Sequence, residues 1–227
     1  MLKIENVEVY GWEAAIRGMR NPMNSWDRSD SDFQFGDPRN CGKDGWVLYC
    51  VGEEDLDLMK RLAAGGSTHA KYRRMITVTL DIVAPLYWWK EFDTYKVGTV
   101  ANSTSTMHKI HAKEFELDDF SHEHLTLYDE DGEICRDWLG DLEDLIDDLN
   151  LARELFLKTK DKKYWWQMIQ LLPTSYNQKR TVQLNYAVLR NMYHSRKNHK
   201  LDEWHTFCEW VERLPYSELI TGEETES

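Results

Sequence analysis

The sequence predicts an α/β fold, a central mixed or antiparallel sheet followed by a helix-rich C-terminal half. Two stretches carry this. In "MITVTLDIVAP", Ile76, Val78, Leu80 and Ile82 alternate with Thr77, Thr79 and Asp81, the two-residue period of a half-buried strand. From residue 137 onward, leucines and aromatics recur at three- and four-residue spacing, which places them on one face of successive helices. With 227 residues, 41% of them apolar, the chain can bury a core without disulfides or metals. No internal repeat or long linker interrupts it, so one domain over 1–227 is expected, with a flexible tail over about 217–227.

The elements follow in order. Residues 2–10, "LKIENVEVY", alternate and predict the first strand. "GWEAAIRGMRNPMNSW" predicts a short helix ending near Asn21-Pro22. "DRSDSDFQFGDPRNCGKDG" is polar and rich in Gly and Pro, a predicted loop. "EEDLDLMKRLAAGG" starts acidic, turns basic and stops at glycine, as a helix dipole favours. After the strand at 75–83, Pro85 suits a helix start, where its missing N–H is not needed. That helix is predicted over about 85–96. "FELDDFSHEHLTLYDEDGEI" is acidic; its "DEDG" lacks the ligand spacing of a calcium loop and predicts a solvated turn. A long helix over 137–158 carries Leu139, Leu142, Leu145, Ile146, Leu149 and Leu155 on its apolar face. "KYWWQMIQLLP" predicts a second helix. "QKRTVQLNYAVLRNMYHSRK" predicts a third, with Val182, Leu189 and Met192 inward, and "LDEWHTFCEWVERLP" a fourth.

Charge and cysteine usage narrow the function. Lys and Arg number 28 against 40 Asp and Glu, a net charge of −12. That excludes broad nucleic-acid binding, which needs clustered positive charge, and leaves room for a local basic pocket. No apolar run is long enough for a bilayer and no signal peptide is evident. The four cysteines, Cys41, Cys50, Cys135 and Cys208, form no CxxC pair. Free thiols in a reducing cytoplasm are expected. His108 and His111, with His122 and His124, have metal-like spacing, but no Cys or carboxylate pattern joins them, so no metal site is expected.

One stretch stands apart. "EFDTYKVGTVANSTSTMH", residues 91–108, begins like a helix and runs into Thr99, Asn102, Ser103, Thr104, Ser105 and Thr106. Such side chains compete for backbone groups and leave helices. Their hydroxyls and N–H groups either cradle a phosphate or only turn and cap the chain. Lys96 is either a point charge for that phosphate or a surface lysine. Arg196, in the basic run "HSRKNHK", is either a ligand contact or a solvated helix end. Trp88-Trp89 and Trp165-Trp166 are expected to place one member of each pair at an interface or over a planar ligand.

Together these segments resemble the flavin-dependent thymidylate synthase (ThyX) family. The order of strand, Ala84-Pro85, helix, polar loop and helices around Leu172-Pro173 matches it. Asn185 lies twelve residues after Pro173 and Arg196 eleven after Asn185, both intervals of the family. The resemblance covers roughly residues 65–210. It departs at the helix-end signature: the family's Arg-His-Arg is Thr94-Tyr95-Lys96 here, its Gln is Glu91, its Glu is Ser103, and a late Arg is Met107. A phosphate-binding Arg before the Leu-Pro is also absent. Neither Met nor Thr supplies the bidentate fork of an arginine.

The resemblance implies a ThyX-like fold and a homotetramer with sites shared between subunits. It implies FAD contacts from His69, Arg73, Arg74, Tyr95, Asn102 and Asn185, and nucleotide contacts from Glu91, Lys96, Ser103, Ser105 and Arg196. No protein nucleophile is implied. The activity implied is FAD-dependent one-carbon transfer to a pyrimidine nucleotide such as dUMP, with NADPH as reductant and methylenetetrahydrofolate as donor. The alternatives are a flavoprotein of this fold with another substrate, and a non-catalytic binding protein that keeps only the scaffold.

Overall fold

The computed structural model describes residues 2–35 and 47–223. The chain divides into two compact units, one of Met1–Glu5, Asp81–Thr94 and Ala101–Val182, the other of Asn6–Leu80, Tyr95–Val100 and Gln183–Ser227. Strands β1 (Lys3–Tyr10), β4 (Thr77–Pro85), β5 (Val100–Ser103) and β8 (Asn177–Asn185) form a four-stranded sheet in the order β1-β4-β8-β5. In β4 the alternation holds: Val78, Leu80, Ile82 and Ala84 are fully buried and the residues between them half-buried. Burying one such aliphatic side chain contributes about 1.5–3 kcal/mol.

The unit that contains Asn6–Leu80 carries α1 (Trp12–Arg20), α2 (Glu53–Ala64), α6 (Tyr186–Arg196), α7 (Asp202–Glu212) and α8 (Glu218–Thr221). Its core is aromatic. Trp12 lies edge-on to Tyr186 at 5.3 Å and to Tyr216 at 5.0 Å. Gly11, at φ +96°, starts α1 against the Met75 carbonyl, which a Cβ would meet at 2.0 Å. Only glycine fits there, by conformation and by space. Arg20 Nε donates to Asp55 Oδ1 at 2.6 Å, and both side chains are buried. Ser29 and Ser31 donate to the other Asp55 oxygen at 2.6 and 2.7 Å.

The other unit holds α3 (Leu86–Phe92), a hairpin of β6 (Thr126–Tyr128) and β7 (Ile134–Asp137), α4 (Leu139–Thr159) and α5 (Lys162–Leu171). Leu142, Ile146, Leu149 and Ala152 of α4 pack with Phe115, Phe120 and Met168. The "DEDG" turn forms as expected: Asp129 Oδ1 accepts from the N–H groups of Asp131 and Glu133, with Gly132 at φ +83°.

Five expectations change. The predicted loop at 27–45 contains β2 (Asp32–Phe35), which pairs antiparallel with β3 (Val47–Cys50). Phe33 meets Tyr49 across the strands at 5.0 Å, an aromatic pairing that outweighs the polar composition. Residues 36–45 of that loop, with Cys41, lie outside the described residues. The helix expected to reach residue 96 ends at Phe92. Asp93 turns instead to Arg180 at 2.7 Å, and Thr94 Oγ1 donates back to the Glu91 carbonyl. The third C-terminal helix starts only at Tyr186, because 177–185 is β8. Trp88 and Trp89 are both buried, each ring packed on the other and on Phe92. Trp89 Nε1 donates to the Gln178 carbonyl and the Arg180 guanidinium covers its ring at 4.2 Å. In the tail, Leu219 and Ile220 of α8 are fully buried rather than frayed, and residues 224–227 lie outside the described residues.

Candidate functional site

Two turns of chain build the site. After α2, Gly66 at φ +87° reverses the backbone into the short turn Lys71–Arg74. Asn185 then ends β8 and caps α6, its Oδ1 accepting from the N–H groups of Ala187 and Val188, both at 3.1 Å. Ser67, Arg73 and Arg74 from the first and Ala187, Arg190, Asn191 and His194 from the second line a cleft of about 280 Å³. Arg73 is buried and Arg74 exposed. Arg190 Nη1 lies 2.7 Å from His194 Nε2 and donates to the carbonyls of Ile220, at 3.0 Å, and Gly222. Burial, and then the Arg190 charge, hold the His194 imidazole below its usual range, so it is neutral near pH 7. Three arginines line this cleft, and its described lining has no carboxylate.

Near the α6 N-terminus lies a second recess of about 270 Å³, lined by Thr77, Gly98, Thr99, Val100 and Gln183–Asn185. Gly98 has φ +79°, and a Cβ there would come within 3.1 Å of Val188 and 3.2 Å of Asn185 Nδ2. The loop can approach the Asn185 amide only because residue 98 is glycine. Among the described residues, the Thr99 hydroxyl is buried with no hydrogen-bond partner.

At the other end of α6, Arg196 Nε donates to Tyr95 Oη at 2.9 Å. Its guanidinium lies 5.0 Å from the Trp204 ring and 5.5 Å from the Tyr95 ring. Stacking on two aromatics holds the planar head of an arginine in one orientation.

The chain has the fold of the flavin-dependent thymidylate synthases. One ThyX structure from Helicobacter pylori, complexed with FAD and dUMP, matches with a TM-score of 0.65 over 96% of this chain and 98% of that one, at 16% identity. A second from the same organism, also with FAD and dUMP, gives 0.64 over 97% and 98%, at 14% identity. A UMP/dUMP methylase, PolB, from Streptomyces cacaoi bound with 5-Br dUMP gives 0.57 over 99% and 97%, at 13% identity. No protein-family model and no curated protein matches the sequence. At such identities the ThyX likeness is a likeness of fold.

On this ThyX-like fold the expected residues separate into groups. Arg73 and Arg74 meet in the arginine cleft, and Asn185 caps the helix that forms its other wall. Tyr95 serves Arg196. Lys96 is exposed. His69 is exposed and lines a different, wider groove of about 1260 Å³ with Met19, Arg61, Tyr72 and Met75. In the other unit, Asn102 and Ser103 are exposed on β5 and Glu91 is half-buried on α3. Ser105 Oγ accepts from the N–H groups of Met107 and His108 at 3.2 and 2.9 Å, so its hydroxyl caps a turn. Among the described residues, no group of His, Cys, Asp or Glu could hold a metal. The residues sequence reasoning missed are Arg190, His194, Gly98 and Trp204. Arg190 and His194 are four apart on α6 and share a face, a signal that the longer helix expected over 178–197 did not single out.

Proposed function

We propose that this protein is a flavin-dependent enzyme acting on a pyrimidine nucleotide, with the diphosphate of FAD held in the arginine cleft. The grouping of Arg73, Arg74 and Arg190 around a recess whose described lining has no acid carries the reading. A cleft of about 280 Å³ suits a diphosphate rather than a whole dinucleotide. The second recess, at Gly98 and Thr99, offers a buried hydroxyl without a hydrogen-bond partner among the described residues. The neighbours of this fold that carry FAD and dUMP support the same assignment.

FAD, when bound, supplies the redox chemistry. The chain binds and orients. Arg73 and Arg74 neutralise the diphosphate, Arg190 braces the cleft wall through the Ile220 and Gly222 carbonyls, and the Asn185 Nδ2 amide donates beside Gly98. Arg196, held by Tyr95 and Trp204, presents a fixed cation to a nucleotide phosphate, with Lys96 as a second charge in the same unit. His69 completes the flavin contacts in this scheme. The family's reductant and donor, NADPH and methylenetetrahydrofolate, a homotetrameric assembly and a cytoplasmic setting belong to the same proposal.

The test is FAD titration followed by flavin fluorescence, with Arg73→Ala and Arg74→Ala. A charge-assisted hydrogen bond contributes about 1.5–3 kcal/mol, so each variant should bind FAD about ten- to a hundredfold more weakly at about 1.4 kcal/mol per decade. Purified protein without flavin absorbance that fails to take up added FAD overturns the reading.

A further inference from the structure

His194 stands between a donor and an acceptor. Its Nε2 lies 2.7 Å from Arg190 Nη1 and 3.2 Å from the Ile220 carbonyl oxygen. A guanidinium has only N–H groups to offer, so the neutral ring meets Arg190 with its Nε2 lone pair and carries its proton on Nδ1. Steadied there, Arg190 Nη1 donates to the Ile220 carbonyl at 3.0 Å and to the Gly222 carbonyl. A second proton on the ring reverses the arrangement. Nε2 becomes a donor, and the acceptor within its reach is the Ile220 carbonyl. Two cations then compete for one oxygen and repel each other, so the guanidinium leaves.

The exchange has a different effect on each side. The Leu219 and Ile220 side chains are fully buried, so the Ile220 carbonyl stays in place and passes to the imidazolium. Gly222 lies beyond these anchors and loses its Arg190 donor. On the other side is the arginine cleft, which Arg190 and His194 line together with Arg73 and Arg74. Acid drives the exchange. Burial and then the Arg190 charge lower the proton affinity of the ring while the guanidinium is present, and its departure restores part of that affinity. The charged and titratable groups packed around the ring are Arg190, Tyr193 and Lys197 of α6, Arg73 and Arg74 of the preceding turn, Glu218 and Glu223, and Cys208 and Glu212 of α7. Side chains of these types ordinarily titrate outside the range from about pH 5 to about pH 8, which leaves the imidazole.

We propose that His194 is a positioning residue for Arg190, a proton-operated switch that assigns this arginine either to the segment after α8 or to an anion in the cleft. With the ring neutral, Arg190 holds Gly222. With the ring protonated, Gly222 is released and Arg190 joins Arg73 and Arg74 in binding the anion. The cleft half rests on the flavin reading, and the segment half does not.

Hydrogen exchange on the full chain tests the segment half, with each rate corrected for the intrinsic rate at that pH. The Thr221 and Gly222 amides donate to the Ser217 and Glu218 carbonyls. Their protection should fall about ten- to a hundredfold from about pH 8 to about pH 5, the size of one charge-assisted hydrogen bond. The His194 ring resonances, followed by NMR, should titrate at the same midpoint, which ties the fall to this residue even without a variant. His194→Gln keeps an oxygen to accept from Arg190 and has no proton to gain, so its protection should stay flat. FAD titration by flavin fluorescence over the same range tests the cleft half, because a diphosphate esterified at both ends keeps its charge throughout. The wild type should bind FAD more tightly at the acid end, and His194→Gln should bind it equally at both. Wild-type protection that is independent of pH overturns the switch, as does a fall that His194→Gln shares. FAD affinity with the same pH profile in both proteins overturns the cleft half alone. No FAD binding at any pH ends the flavin reading and the cleft half with it, while exchange still decides the segment half.

Discussion

Asp55 illustrates how much rests on single side chains. Its carboxylate is fully buried, yet it is held by the Arg20 guanidinium and the Ser29 and Ser31 hydroxyls. Burial alone pushes its pKa up; the serine hydroxyls and Arg20 together outweigh that and hold it below the usual carboxylate range. The stability it contributes is complete above the unfolded value of 3.8 and is lost as pH falls through the lower folded value. Asp55→Asn strands a buried guanidinium, and about 3–5 kcal/mol should be lost, measured by urea unfolding at neutral pH. The variant's stability should also depend less on pH across the acid limb. None of this was legible beforehand, because the "DRSDSD" stretch reads as solvated loop until the fold brings it to Arg20. Arg73, Arg74, Asn185 and Arg196 were expected from family intervals and neighbouring motifs, and their part in ligand binding belongs to the proposal. Arg190 and Trp204 were not, because their roles depend on what packs against them.

At the scale of elements, the junction of β8 and α6 decides the site. Gln178, Val182 and Leu184 are buried, with more open residues between them, an alternation that the helical pattern of the following eleven residues masked. The β-branched Thr181-Val182 and an Asn at the boundary were the available signals. Asn185 has two duties there, an oxygen that caps α6 and an amide beside Gly98. Asn185→Ala removes both and should cost about 0.5–2 kcal/mol from the cap alone. Asn185→Asp keeps the capping oxygen and removes the amide donor. It should retain the melting temperature within a degree or so while weakening FAD binding in a fluorescence titration. Equal loss of FAD affinity and stability in both variants would reduce Asn185 to a cap. β4 shows the opposite case: period-two patterning over nine residues leaves one reading, and the strand forms as expected.

Over the whole molecule, the fold was better legible than the chemistry. Sheet and helix patterning extend along most of the chain, so a ThyX-like architecture emerges despite 13–16% identity to solved neighbours. The family's nucleotide-binding signature is short, and here it is rewritten as Thr94-Tyr95-Lys96. With two charge-assisted contacts fewer, at about 1.5–3 kcal/mol each, dUMP should bind roughly two to four decades more weakly than in an enzyme with the full signature. Calorimetry with dUMP, FAD present, measures this, and submicromolar affinity would show that Arg196 and Lys96 suffice. The cleft also has a tether beyond its own walls. Arg190 grips the carbonyls of Ile220 and Gly222, and Lys197 pairs with Glu223 at 3.3 Å. A bulky group attached close to Glu223 would tug on the same residues that shape the arginine cleft. Handles for binding assays therefore belong behind a long spacer, or on another surface.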